Sequence, residues 1–278
     1  MVLIPERDRN TLCVSSQVGC ALKCDFCSTG KQGFKANLNT AEIVGQLILA
    51  NRHLSREGKR VSNIVFMGMG EPLLNFEAVS SAINLFQDDC AFGLSKRKVT
   101  LSTAGLVPGI MRMKETLDCS LAISLHAPTD SVRNVLVPVN RKYPIKDLLA
   151  AASEYIESRQ SLRKLIIEYT LIEGVNDSPQ DAAQLADLLK SVKCKINLIP
   201  FNTFNGSDYK SPKDQCVKAF QRRLVSAGHR VMIRSTRGSD IMAACGQLAE
   251  LSQNDANEST ECESDEQRKV ALTFRESA

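Results

Sequence analysis

Short runs of branched apolar residues recur along this chain with helix-length segments between them, and that alternation constrains its fold more than any other feature. Val61 to Met67, Lys98 to Leu101, Ser120 to Leu125, Leu165 to Leu171 and Ile196 to Pro200 read as strands, being brief, rich in branched residues and bounded by turn or breaking residues. Thr40 to His53, Ala78 to Gln87, Ile145 to Ser158, Pro179 to Ser191 and Lys213 to Ala227 read as helices, the first with Thr40 as its N-cap. Strands that are apolar throughout are buried on both faces. The pattern therefore specifies an α/β fold with a parallel sheet under helices, as an open sheet or as a barrel. With 43% hydrophobic residues among 278, the chain has material for one large core. That body spans 1–250, and no repeat or low-complexity linker divides it; over 251–278 the composition turns polar and acidic, which reads as a disordered tail.

No stretch approaches the roughly 20 consecutive apolar residues of a membrane-spanning helix, and the opening MVLIPERDRN has no signal-peptide pattern. The expectation is a cytoplasmic protein with no membrane partner. A formal net charge of +4 permits nucleic acid as a partner without requiring it. Ten cysteines would suit a disulfide scaffold in a short secreted chain; in a chain with its own core and a reducing surrounding they point to metal or thiol chemistry.

Three of them, Cys20, Cys24 and Cys27, fall at a C-x3-C-x2-C spacing within GCALKCDFCSTGKQG, close enough for the thiolates to converge on one loop. A closed zinc site needs a fourth Cys or His, and this loop supplies none. A cubane held by three cysteines leaves one iron for a substrate chelate. The spacing favours the cluster and leaves zinc open. Phe26, just before the third cysteine, offers an apolar wall or ordinary packing. Gly68 and Gly70 in GMGEP lack the third glycine of a dinucleotide loop, so they read as a strand-ending turn that brings backbone close to a ligand. Ser102, Ser124 to His126 and Asn202 stand at the carboxyl ends of expected strands, where parallel α/β folds bind ligands. Lys31, Lys35, Arg234 and Arg237 suit either RNA phosphates or a solvated surface. Cys119 and Cys194 border strands and read as small apolar residues.

With an aromatic before its last cysteine, the CxxxCxxC loop resembles that of the radical S-adenosylmethionine superfamily. The wording CVSSQVGCALKCDFCSTGKQGF, followed by MGMGEPLLN, LSTAG, ISLHAP, INLIPFN and ACGQLA, is similar to the RlmN family of dual-specificity RNA methyltransferases from Ile4 to Leu248. The resemblance implies a partial (β/α)6 TIM-type barrel, a 4Fe-4S cluster on Cys20, Cys24 and Cys27, and S-adenosylmethionine used twice per turnover. It assigns Gly70, Glu71, Ser102, Ser124, Leu125, His126 and Asn202 to S-adenosylmethionine contacts, with the ligand's amino group the target of Gly70 and Glu71. His126 reads as a cofactor contact and not a general base, since the family's mechanism needs no histidine base. Cys245, in AACGQL, matches the methyl-carrying cysteine. Cys13, in TLCVSSQ, matches the thiol that resolves the covalent intermediate by forming a disulfide with it.

The implied activity is methylation of adenine carbon 2 in large-subunit rRNA and in tRNA. That carbon is electron-poor and has no useful acidic proton, so a carbon radical can add where polar displacement fails. Carbon 8 methylation, as in the related Cfr-type enzymes, and an inactive RNA-binding remnant are the alternatives. An external electron donor and a thiol reductant are implied partners, and the chain is expected to act as a monomer. Family members carry an N-terminal accessory domain that helps bind RNA. This chain reads as the core without it, so the family's proton-accepting glutamate has no counterpart in Glu6.

Overall fold

The computed structural model describes residues 1–6, 8–159, 164–204 and 206–234. Arg237, Cys245 and the 251–278 tail lie outside them. A hairpin opens the chain, with β1 (Val2–Glu6) antiparallel to β2 (Arg9–Cys13). A separate two-stranded ribbon follows, β3 (Gln17–Gly19) and β4 (Phe34–Asn37), with α1 (Ser28–Gln32) between its strands. Next comes α2 (Thr40–Leu54). Strands and helices then alternate through β5 (Asn63–Phe66), α3 (Phe76–Gln87), β6 (Val99–Thr103), α4 (Val107–Thr116), β7 (Ser120–Ser124), α5 (Asp130–Leu136) and α6 (Ile145–Glu157). The last units are β8 (Leu165–Leu171), α7 (Pro179–Leu188), β9 (Cys194–Pro200), α8 (Asp214–Ser226) and β10 (Val231–Ile233).

The main sheet runs β1-β2-β5-β6-β7-β8-β9-β10, with every neighbouring pair after the first parallel. β1 and β10 stay apart as its edges, so the sheet curls into a half-barrel that does not close. The strand–helix repeat is the partial (β/α)6 TIM-type arrangement, which settles the choice between open sheet and barrel. Because side chains alternate along a strand, Leu12, Ile64, Leu101, Ile123, Ile167 and Leu198 all point outward into one core with the helices. The opposite, concave face carries Ser124, Glu168 and Asn197 in one register row. Leu12 and Val14 belong to the helix-facing core and Cys13 does not, which puts Cys13 on the concave face beside Val65.

The five expected strands and five expected helices are all present, with ends shifted by a few residues. The cap of α2 is a correction. Asn39, not Thr40, is the N-cap: its side chain accepts the Glu42 N–H at 2.9 Å while Glu42 accepts the Asn39 N–H at 2.7 Å. Three helices had no clear sequence signal, the first being the five-residue α1. α4 contains Gly109, which sits where a Cβ would come within 2.8 Å of Leu73. α5 is seven residues long and buries an arginine where an apolar residue would be expected. Among the described residues no helix is long and apolar enough to cross a membrane.

Candidate active site

The ribbon β3–β4 exists to pinch a loop. Gly19 ends β3 at φ +73, and a Cβ there would lie 1.8 Å from the Gly33 carbonyl oxygen. Only glycine permits that approach, and it lets the Cys20 N–H donate to Gly33 O at 2.9 Å, closing the loop that holds Cys20, Cys24 and Cys27. The loop is fixed elsewhere too. Cys27 N–H donates to Cys24 O at 3.1 Å, Asp25 N–H to Leu136 O at 3.0 Å, and the Lys31 ammonium to Gly206 O at 2.6 Å. Phe26 is buried in a second apolar cluster with Ala104, Leu136, Val137, Ile172 and Phe201, against which Cys24 and Cys27 pack.

All three cysteines open onto a cavity at the carboxyl ends of the strands, with about 1000 Å³ free of protein atoms once its mouth is included. Gly68, Gly70, Glu71, Ser102, Ser124 and His126 line it as well. Gly70 has φ +97, and a Cβ there would meet Gln17 Cβ at 2.5 Å. That close approach lets Gln17 Oε1 accept the Glu71 N–H at 2.9 Å and so fixes the turn. The Glu71 carboxylate accepts from the N–H groups of Leu73 (3.2 Å) and Ala104 (2.8 Å). Burial still raises its pKa to about 7, against the lowering effect of those bonds.

His126 occupies left-handed backbone at φ 58, with its ring edge-on to Phe26 at 4.7 Å between centroids. Its Nδ1 accepts the Thr170 N–H at 2.9 Å, so the neutral ring carries its proton on Nε2. Burial, and then the charge of Arg133, lowers its pKa to about 3. A ring that stays neutral and has its lone pair engaged is a poor base and a poor metal ligand. Leu125 faces the helix-side core instead of the cavity, and Asn202 is buried one residue beyond the cavity-lining Phe201.

These donors bear on the choice of metal. Cys20, Cys24 and Cys27 are the thiols that line the cavity among the described residues. The cysteines of a cubane each bind a different iron, so their sulfurs stand apart. Of the other described donors on the cavity, the His126 Nδ1 lone pair is taken by the Thr170 N–H, and Glu71 and Glu168 already accept hydrogen bonds from protein groups. Burial raises the Cys20 pKa to about 11 and that of Cys24 well above its ordinary value. Thiols in such a place become thiolates when a strong cation binds them. The residues fit a three-cysteine cluster with one iron open.

Comparison with known proteins decides the family. Residues 14–186 match the Radical SAM superfamily. The chain is 56% identical over 249 residues to the dual-specificity RNA methyltransferase RlmN of Vesicomyosocius okutanii, covering 90% of this chain and 70% of that one. It is 56% identical over 250 residues to the protein of the same name from Marinobacter nauticus, covering 89% and 68%. The chain belongs to the RlmN family of radical SAM enzymes. A crystal structure of a radical SAM methyltransferase from Sphaerobacter thermophilus superposes with a TM-score of 0.85 at 42% identity, covering 88% of this chain and 72% of that one. Membership implies a 4Fe-4S cluster and S-adenosylmethionine.

Within this RlmN-family site, sequence reasoning passed over three side chains. Gln17 sets the GMGE turn. Asn75 donates to the carbonyls of Ser16 (2.8 Å) and Leu38 (2.7 Å), joining that turn to the ribbon. Arg133, with no exposed surface, reaches the ends of β6 and β7. A buried polar residue inside a helix or strand pattern leaves no periodic signal, but Gln17 and Asn75 lie inside quoted motifs, CVSSQVGC and MGMGEPLLN, and could have been found there. Arg234 is a correction to the surface reading: it lines the cavity 3.4 Å from Glu168 and 3.7 Å from the Met67 sulfur. Lys31 is engaged by Gly206 O, while Lys35 is exposed on the ribbon. Cys119 is fully buried and Cys194 nearly so, and no disulfide joins any described cysteines. Arg237 and Cys245 lie outside the described residues.

Proposed function

We propose that this chain methylates carbon 2 of adenine in large-subunit rRNA and in tRNA, in the cytoplasm, by a radical route that uses two of its own thiols. One observation carries the reading: Cys20, Cys24 and Cys27 share a single cavity with Glu71 and the polar strand ends Ser102, Ser124 and His126. The cysteines hold the cluster. Bound there, it would supply the electron for reductive cleavage of S-adenosylmethionine. Gly70, Glu71, Ser102, Ser124 and His126 hold the ligand from the cavity wall, with Leu125 and Asn202 acting from beside it as neighbours of the lining residues Ser124, His126 and Phe201, and the buried Glu71 carboxylate suits its ammonium group.

Cys245 would take a methyl as a thiolate nucleophile, and S-adenosylmethionine, used twice per turnover, would supply both that methyl and the radical that abstracts a hydrogen from it. The resulting carbon adds to the ring, which must leave its stack to reach so enclosed a site. Cys13 then attacks the Cys245 sulfur. Carbon 2 of the adduct gives up its hydrogen as a proton and its unpaired electron passes to a one-electron acceptor, while an S–S bond forms as the S–C bond breaks and the released methylene carbon takes a proton. An external thiol reduces the disulfide afterwards. Two facts support the pairing. Cys13 lies on the concave sheet face that also carries the cavity wall, and Cys245 lies eleven residues beyond the cavity-lining Arg234, a reach of about 36 Å when extended.

Anaerobic turnover with isotopically labelled S-adenosylmethionine and rRNA tests this, with mass spectrometry locating the methyl on the ring. Carbon 2 is the expected position, and carbon 8 would move the chain to the Cfr type. Cys245→Ala should give no methylated RNA and Cys13→Ala should accumulate protein joined to RNA. Normal turnover by Cys13→Ala would remove the resolving role.

A further inference from the structure

Arg133 is the largest fully buried side chain in the described protein, and every acceptor it holds is neutral. Its Nε donates to the Leu125 carbonyl at 3.0 Å, Nη1 to Asn140 Oδ1 at 2.7 Å, and Nη2 to the carbonyls of Ala104 (2.6 Å) and Ser124 (3.0 Å). Burial lowers its pKa to about 10, which still leaves it charged at neutral pH. The nearby Asp130 does not bond to it, because Asp130 Oδ1 accepts from Asn140 Nδ2 (2.7 Å) and from the Ile145 N–H (2.9 Å). A buried charge is costly unless an opposite charge answers it. Nothing bonded to Arg133 does so.

Arg133 sits behind the wall of the cavity that holds the cysteine loop. Its acceptors Ala104 and Ser124 line the same cavity as the three cysteines. α5, which carries it, also receives the Asp25 N–H on Leu136 O at 3.0 Å, between Cys24 and Cys27. The charges of Arg133 and Cys24 act on each other.

We infer that Arg133 is the fixed counter-cation of the iron–sulfur assembly on Cys20, Cys24 and Cys27, and that it raises the cluster's reduction potential. Three thiolates on an oxidised cubane leave the assembly net negative, and the electron from the external donor adds one more negative charge. A fixed cation in a poorly screened place stabilises the reduced form more than the oxidised one. Arg133 is thus a positioning residue that acts through the cluster, and the inference rests on the cluster reading of the site.

The test is a redox titration, followed by electron paramagnetic resonance, of the anaerobically reconstituted chain, with iron content measured alongside. Arg133→Gln should shift the midpoint to more negative values. Arg133→Lys should stay near the unaltered chain although both variants lose the planar fork and unfold at lower temperature. Asp130→Asn, whose amide oxygen can accept both bonds that Asp130 accepts, should fold normally and shift the midpoint to more positive values. Equal shifts in the Gln and Lys variants, or no shift in Asp130→Asn, would overturn the inference. If neither Arg133 variant holds iron, Asp130→Asn decides alone. Failure of the unaltered chain to take up a cluster would instead overturn the cluster reading itself.

Discussion

At the residue scale, Glu71 shows how burial and hydrogen bonding are set against each other. Two backbone N–H groups favour its ionised form, yet burial wins and holds the pKa near 7, against an ordinary 4.5. Between those two values the folded protein binds a proton that the unfolded chain has released. Stability therefore falls as pH rises through that window, by about 3 kcal/mol in all for a shift of this size, and the cost is fully present above pH 7. A cation placed against Glu71 reverses this. Carbon-13 NMR of the labelled carboxyl group should give a midpoint near 7 in the ligand-free chain and a clearly lower one with S-adenosylmethionine bound; a midpoint that does not move would exclude Glu71 as the ammonium partner. Gly70 and Glu71 stood out in the sequence because a glycine turn has a distinctive composition. Gln17 did not, because its partner lies 54 residues away, and Arg133 did not, because a charged residue in a short helix gives no sign that it is turned inward.

The elements themselves were more legible than their ends. β8 spans Leu165–Leu171 as expected, since a central strand buried on both faces is apolar from end to end. α2 was found by its apolar stripe, but its start was misjudged by one residue because Thr and Asn both serve as caps, and only the reciprocal bonds of Asn39 and Glu42 distinguish them. Asn39→Ala should lower stability by about 1 kcal/mol in a urea titration with unchanged slope, while Thr40→Ala, at the first helical position, should change it little. Equal losses in both would argue against Asn39 as the cap. α5 escaped notice because it is short and turns a charged side chain inward, and that inward arginine ties the helix to the site.

For the whole molecule, the alternation of strands and helices specified a parallel sheet, but its curvature is not encoded in any one segment. It follows from accumulated strand twist and from outward packing against helices over the full length of the sheet. Curling brings the Cys20 to Cys27 loop over the ends of β6, β7 and β8, so that residues from 20 to 234 share one cavity. The proposed chemistry stands on three cysteines in that cavity holding a cluster with one open iron. Its most direct test is anaerobic reductive cleavage of S-adenosylmethionine by the reconstituted chain and by Cys24→Ala. The unaltered chain should show sulfur-to-iron charge-transfer absorption and release 5'-deoxyadenosine, and Cys24→Ala should do neither. Cleavage that survives in Cys24→Ala, or an unaltered chain that binds zinc and releases no 5'-deoxyadenosine, would contradict it.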